Sequence, residues 1–325
     1  MSEKVTWLLP VKNGMPYLSE TLASISAQSY RNWEVLAWDN DSTDGTVDEL
    51  NRWIPSRLPG RVVTGTPLSL GGSRARLVES AQTELCACID ADDINLPERL
   101  EQQVSFMLKN PRVGMLGTQI EFIDEHGRAF PGAWVQPTDD AEIRWQLHWQ
   151  SPFNHPTVMY RRSVILAAGN YAAEFLVEDY DLWFRVGLIS ETANLPQVLL
   201  KYRRLSTSYT AACTTLTGTT SPAPLFEMVA ERNADRLFAG MSAKEAIGFR
   251  RKMLDESQEK VQLQDLIALR NAACRAARDL GKSDSYFRST ELYRTQRASL
   301  LRRWTGQQGW GRTLLTAKRK VQSHL

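Results

Sequence analysis

Leu85-Cys86-Ala87-Cys88-Ile89-Asp90-Ala91-Asp92-Asp93 is the stretch on which the fold turns. A compact apolar run closed by three acids reads as a buried strand over Leu85–Asp90 that delivers carboxylates to the edge of a sheet. A side-chain period of two puts Asp90 and Asp92 on one face and Ala91 on the other. Upstream, Val5–Val11, Trp33–Asp39 and Arg61–Thr64 are three further β-rich runs. Helical spacing separates them, through Leu18, Leu22 and Ile25, then Val47, Leu50 and Ile54, then Ala75 to Ala81. Downstream, Pro97 to Leu108 reads as a helix with proline in its first turn, and Val113–Ile123 as a longer strand before a turn at Glu125-His126-Gly127-Arg128. Strands alternating with helices predict an α/β fold, a mainly parallel sheet with helices on both faces.

Ligands of such sheets bind beyond the carboxyl ends of the strands. The first strand ends in Pro10-Val11-Lys12-Asn13-Gly14, the second in Asp39-Asn40-Asp41-Ser42-Thr43-Asp44, the fourth in Asp90-Ala91-Asp92-Asp93. Acidic clusters at neighbouring strand ends repel unless a cation joins them, and paired carboxylates suit a hard ion such as Mg²⁺ or Mn²⁺. Capping of the next helix is the other use of such a cluster, and Asp93 suits it. There is no GxxxxGK[ST] loop and no GxGxxG after a strand, which argues against kinases and dehydrogenases. A bound diphosphate would be met by metal and by Arg74 or Arg76. In Glu178-Asp179-Tyr180-Asp181-Leu182-Trp183-Phe184-Arg185, Asp181 and Arg185 have the spacing of a helical ion pair. Glu178 and Asp179 then stand in a first turn, as caps or as a general base.

The 325 residues, 42% hydrophobic and 23% charged, suit about two globular domains and exclude disordered and collagenous classes. No apolar run reaches the length of a membrane span, and the opening residues are no signal peptide. Cys86, Cys88, Cys213 and Cys274 match neither a zinc pattern nor a disulfide framework, which predicts a reduced, intracellular protein. The net charge of +2 is uneven. From residue 288 onward nine basic residues face one acid, Glu291, while the rest of the chain holds 30 basic and 36 acidic residues. Residues 205–226 carry no charge and read as a loop. Beyond them come a capping box, Ser242-Ala243-Lys244-Glu245, and a stripe from Leu263 to Leu280 ending at Gly281.

The ordered set of motifs resembles the family 2 glycosyltransferases with the GT-A fold, over roughly residues 4–210. It comprises Leu9-Pro10-Val11-Lys12-Asn13-Gly14, Asp39 with Ser42-Thr43-Asp44-Gly45-Thr46, Arg74 and Ile89 to Asp93. Pro97-Glu98-Arg99-Leu100, His155-Pro156-Thr157, Gly169-Asn170-Tyr171, Glu178 to Arg185 and Tyr202-Arg203 complete it. The resemblance implies a GT-A domain over 1–210 and ends before residue 225; composition predicts a linker over 211–224 and a helical C-terminal region over 225–325. It implies inverting transfer of a sugar from a nucleotide-diphosphate sugar, UDP-sugar favoured, to an acceptor hydroxyl. The setting it implies is bacterial surface polysaccharide or lipopolysaccharide synthesis, with a glycan or lipid-linked acceptor.

Carried over residue by residue, Pro10, Asn13, Asp39, Asn40, Arg74, Asp90, Ala91, Asp92 and Arg203 would hold the nucleotide-sugar. Asp92 and Asp90 would ligate Mn²⁺ or Mg²⁺, Asp179 would be the general base, and His155, Glu178 and Trp183 would touch substrate. Three positions depart from the pattern: Lys12 replaces a common tyrosine, Asn40 a second aspartate, and Leu205 the histidine after Tyr-Arg. The asparagine oxygen can still accept from a uracil N3–H, and the phosphate contact falls to Arg203 or Arg204. The basic tail, with Trp304 and Trp310, suggests either an anionic membrane surface or a helix packed on the acidic body. The expected location is cytoplasmic, peripheral to the inner face of the cell membrane. No recognition motif accompanies the tail's charge, which points away from nucleic acid. The rival activities are a nucleotidyltransferase and a catalytically silent nucleotide or sugar binder.

Overall fold

Every residue of Val5–Val11 is buried, so this strand needs a neighbour on each side and cover on both faces. The computed structural model describes residues 3–132, 134–206, 223–233, 241–253 and 260–307. In chain order the elements are β1 (Val5–Val11), α1 (Leu18–Ser26), β2 (Trp33–Asp39), α2 (Thr46–Trp53), β3 (Gly60–Thr64), α3 (Leu70–Ser80), β4 (Leu85–Cys88) and β5 (Ile94–Asn95). There follow α4 (Arg99–Lys109), β6 (Val113–Ile123), α5 (Asp140–Gln146), β7 (Met159–Arg161), α6 (Arg162–Ala167), α7 (Glu178–Ile189) and β8 (Glu191–Arg203).

Among the described residues the eight-stranded sheet runs β3-β2-β1-β4-β7-β6-β8-β5. Its first four strands are parallel, as the alternating pattern predicts. The other half is mixed: β7 runs antiparallel to both β4 and β6, β5 antiparallel to β8, and β6 parallel to β8. Leu18, Leu22 and Ile25 of α1 and Leu100, Val104 and Met107 of α4 join the strand residues in one apolar core. This is the α/β architecture that the resemblance implies.

The chain divides into two units, the first of Met1–Ile143 with Ser151–Thr219, the second of Arg144–Gln150 with Thr220–Leu325. The second carries α8 (Ala223–Arg232), α9 (Ala243–Met253), α10 (Leu263–Asp279) and α11 (Glu291–Gln307). Its capping box forms as expected: Ser242 N donates to Glu245 Oε2 at 2.8 Å and Glu245 N to Ser242 Oγ at 3.3 Å. Gly281, at φ 65°, ends α10, and the amide of Lys282 donates to the carbonyl of Ala277. Most of the uncharged stretch, like Cys213 and Trp310, lies outside the described residues, and a helix already begins at Ala223. Trp304 is buried with Leu300 and Tyr293 inside this unit, so it is not an interfacial anchor.

Candidate active site

The first two loops at the strand ends are fastened to each other. Asn13, in the left-handed region at φ 54°, donates its backbone amide to Ser42 Oγ (2.8 Å), and its own Oδ1 accepts from Thr43 N at 2.9 Å. Gly14 N donates to Thr46 Oγ1 and Met15 N to Asp44 Oδ2. Pro10, the penultimate residue of β1, supplies backbone and no free donor to this floor. At the end of β2, Asp39 is buried; its Oδ2 accepts from Ser42 N, while Oδ1 has no partner. Such an orphaned acceptor is costly until a ligand donor meets it. Asn40 is placed differently from its expected role. Its Oδ1 already accepts from Leu68 N at 2.8 Å and Trp38 Nε1 at 3.3 Å, and its Nδ2 donates to Leu68 O. Asn40 is thus a loop tie, and of the two side chains Asp39 is the one with an unpartnered acceptor.

The acidic stretch after β4 is a turn and not a strand. β4 ends at Cys88, and Asp93 N reaches back to Asp90 O at 3.4 Å. The alternation argument for Asp90 and Asp92 therefore fails; turn geometry with Ala91 between them sets their directions. Two buried arginines hold this turn. Arg99 donates through Nη2 to the Cys88 carbonyl at 2.9 Å and stacks over Trp7. Arg203 donates through Nε to Asp92 O (2.8 Å), through Nη1 to Asp124 O and Glu125 O, and through Nη2 to Glu20 Oε2. Its guanidinium also lies 4.5 Å over the Tyr17 ring. So committed and so buried, Arg203 positions the turn and is not the phosphate ligand expected of it. Asp93 is no helix cap either: its Oδ1 accepts from Arg203 N at 2.8 Å.

Burial, reinforced by Asp90, pushes the Asp92 carboxyl up to about 6. Among the described residues no side chain bonds its oxygens, and no cluster of three or more His, Cys, Asp or Glu side chains is arranged to hold a metal by itself. A hard divalent ion that borrows phosphate oxygens needs only one or two carboxylates. The mutually repelling Asp90 and Asp92 fit that requirement.

Arg74 joins this turn to α7. Its Nη2 bonds Asp90 Oδ1 at 3.2 Å and its Nη1 bonds Glu178 Oε1. The contact requires Gly71, where a Cβ would lie 2.5 Å from the Ala172 oxygen and 3.2 Å from Glu178 Cβ. Burial raises the Glu178 carboxyl to about 7 against the pull of Arg74. Burial likewise raises Asp179, the next residue, whose Oδ1 accepts from Tyr180 N at 2.7 Å. Asp181 and Arg185 form the expected helical pair, and Arg185 extends it to the carbonyls of Ala168 and Asn170.

His155 stands beside Asp90, Nδ1 to Oδ1 3.8 Å, with Nε2 3.1 Å from Tyr171 Oη. Burial, with the Arg74 and Arg99 charges, keeps its imidazole well below the usual value, so it is neutral. Trp183 stacks on His155 at 5.8 Å and is completely buried, which rules out the expected direct touch on substrate. Tyr171 carries no signal of its own in the sequence; the sharp turn that inserts it is made by Gly169, at φ 89°, and Asn170, at φ 59°.

Carboxylates from the β4 turn and α7 thus converge around the buried Arg74 guanidinium, with none of the glycine-rich phosphate loop of other nucleotide enzymes. A model of the family described as glycosyl transferase family 2 matches residues 6–167. The chain is 33% identical over 189 residues to the amylovoran biosynthesis glycosyltransferase AmsE of Erwinia amylovora, covering 57% of this chain and 70% of that one. It is 31% identical over 211 residues to the O-antigen biosynthesis glycosyltransferase WbnJ of Escherichia coli, covering 62% and 80%.

The chain belongs to glycosyl transferase family 2.

The nucleotidyltransferase alternative falls with that membership. Among solved structures, this family 2 glycosyltransferase resembles S. aureus TarS 1-349 in complex with UDP-GlcNAc, at TM-score 0.60 and 18% identity over 94% of this chain and 92% of that one. The mannosyltransferase PcManGT of Pyrobaculum calidifontis, in complex with GDP-Man and Mn²⁺, matches at TM-score 0.55 over 100% and 85%. At that identity the likeness is one of fold.

Proposed function

We propose that this glycosyltransferase inverts the anomeric carbon as it moves a sugar from a UDP-sugar to an acceptor hydroxyl, on a glycan or lipid-linked acceptor of the bacterial surface. The observation that carries the reading is the Arg74 bridge, which joins the donor-side Asp90 to the base-side pair Glu178 and Asp179. Asp39 Oδ1, buried and unpartnered, is ready for the N3–H of uracil. Asp90 and Asp92 would hold Mn²⁺ or Mg²⁺ against the diphosphate; such an ion neutralises charge on the leaving group. Asp179 takes the proton from the acceptor hydroxyl as its oxygen bonds to C1 and the sugar–diphosphate bond breaks. The electron pair of that bond leaves with the diphosphate. A carboxyl raised toward neutrality is the stronger base for this transfer.

UDP is favoured because relatives are named for it, among them an E. coli UDP-Gal:alpha-D-GlcNAc-diphosphoundecaprenol beta-1,3-galactosyltransferase, 26% identical. Among the described residues no helix is long and apolar enough to cross a membrane. Peripheral attachment is part of the proposal, carried by the basic chain end alone now that Trp304 is buried. Because α11 packs through Leu300 and Trp304, the clean cut lies after residue 307; unchanged vesicle flotation of that truncation would refute attachment through the last residues.

The deciding experiment is calorimetric titration with UDP, dTDP, GDP and CDP, with and without Mn²⁺. Binding of UDP that requires the ion and is lost in Asp92→Ala is the expected result. Binding without the ion would remove the metal from the proposal, and no binding by any of the four would favour a silent fold.

A further inference from the structure

An exposed aromatic surface lies on the same unit, and its cation is Arg204, one of the two arginines expected at the donor phosphate but held over the Phe122 and Trp134 rings instead. Phe122 of β6 is its hub, stacked on Phe130 at 5.7 Å, edge-on to Trp134 at 5.0 Å and 6.0 Å from Tyr202. Phe122 itself is buried, but Phe130 and Trp134 are 37% and 41% exposed. Gly132, at φ 140°, lets the chain pass close to the Phe122 ring, which a Cβ would approach to 3.2 Å. The Arg204 guanidinium lies 5.3 Å over Phe122 and 5.4 Å over Trp134. It is exposed, and among the described residues no carboxylate pairs with it.

Both halves of this surface are tied to the site. Arg204 follows Arg203, which clamps Asp92. Trp134 precedes Gln136, whose backbone exchanges two hydrogen bonds with the Gln119 side chain and whose Nε2 donates to Asn154 Oδ1, next to His155. Open ring faces attract the C–H side of a pyranose, and a guanidinium held over rings presents its N–H edge to an anion. One ligand class satisfies both at once, a sugar that carries a phosphate.

We propose that Trp134, Phe130 and Arg204 form the acceptor subsite and take a glycosyl phosphate, its ring against Trp134 and its phosphate on Arg204. This rests on the transferase reading above. The role is distinct from donor binding, which Asp39, Asp90 and Asp92 serve.

The test is saturation-transfer NMR on the full chain with UDP and Mn²⁺ saturating, using the α-1-phosphates of glucose, galactose, N-acetylglucosamine and mannose beside the free sugars. At least one sugar phosphate should bind about ten-fold more tightly than its free sugar. Arg204→Ala should erase that preference, and Trp134→Ala should erase the saturation of ring protons, with UDP affinity unchanged in both. Repeating the titration with the same sugar on farnesyl diphosphate separates two sources of the ligand: tighter binding marks a lipid-borne acceptor, equal binding a soluble one, and both uphold the subsite. Binding by none of the four, displacement by UDP, or weakened UDP binding in Arg204→Ala would overturn it. Absence of UDP binding in the unsubstituted protein would instead sink the donor reading.

Discussion

Arg203 donates from Nε to the main-chain oxygen of Asp92 at 2.8 Å, so the last residue of β8 holds the turn that follows β4. Its other donors reach carbonyls at Asp124 and Glu125 and the carboxylate of Glu20. Replacing it leaves buried acceptors unpaired, each costing roughly 1–3 kcal/mol. Arg203→Met should lose at least about 2 kcal/mol in urea denaturation and weaken UDP–Mn²⁺ binding. Glu20→Gln, at an exposed partner, should cost under about 1 kcal/mol. Equal losses for the two would show that the pair with Glu20, and not the carbonyl contacts, carries the clamp.

Asp39→Asn offers an amide N–H where the orphaned Oδ1 now stands. A donor facing a donor should cost about 1.5–3 kcal/mol, roughly 10- to 100-fold in UDP affinity. Calorimetry should also show the preference for UDP over CDP collapse, since cytosine N3 accepts where uracil N3 donates. Unchanged affinity would remove Asp39 from the base contact.

Asp179→Asn should lower kcat by about 10²–10⁴ with UDP affinity unaltered. Glu178→Gln should act through Arg74, which would keep Asp90 but lose the carboxylate that fixes its other arm. Its signature is a shifted pH profile, where a structural role alone would move only stability.

Asp92 supplies a pH test. Burial, then Asp90, raises its carboxyl from 3.8 to about 6, so the folded protein holds that proton more tightly than the unfolded chain. The contribution to stability is full below about pH 4 and is lost as pH rises through 6. Without ligands, Asp92→Asn should therefore melt higher than the unsubstituted protein at pH 7.5, with the gap closing toward pH 4. Added UDP and Mn²⁺ should reverse the order at pH 7.5, because only the carboxylate gains from the cation.

The half of the fold built from strand–helix repeats was legible: Val5–Val11, Trp33–Asp39 and Val113–Ile123 are strands over those same residues. The three-residue β7 and the Pro-containing β8 were not, since too few residues or a broken alternation leave no period to read. Charge clusters at strand ends singled out Asp39, Asp90 and Asp92, which lie at the end of β2 and in the turn after β4. The sequence gives a buried arginine the same letter as an exposed one, so the clamp at Arg203 could not be told from a phosphate ligand. Trp183 misled for the same reason, its total burial behind His155 being a property of tertiary packing.

The clamp also has a consequence for how the protein is made. The ribosome delivers β4 and its acidic turn more than a hundred residues before residue 203. Until β8 pairs with β5 through Ile94 to Lys201 and Asn95 to Leu200, nothing pins the Asp92 backbone from that side. The parallel strands can pair during synthesis, while the acidic turn gains its Arg203 clamp only after the final strand has emerged. A nascent or prematurely ended chain would thus carry a nucleotide-binding fold whose acids are not yet set for chemistry, withholding transferase activity until the domain is finished.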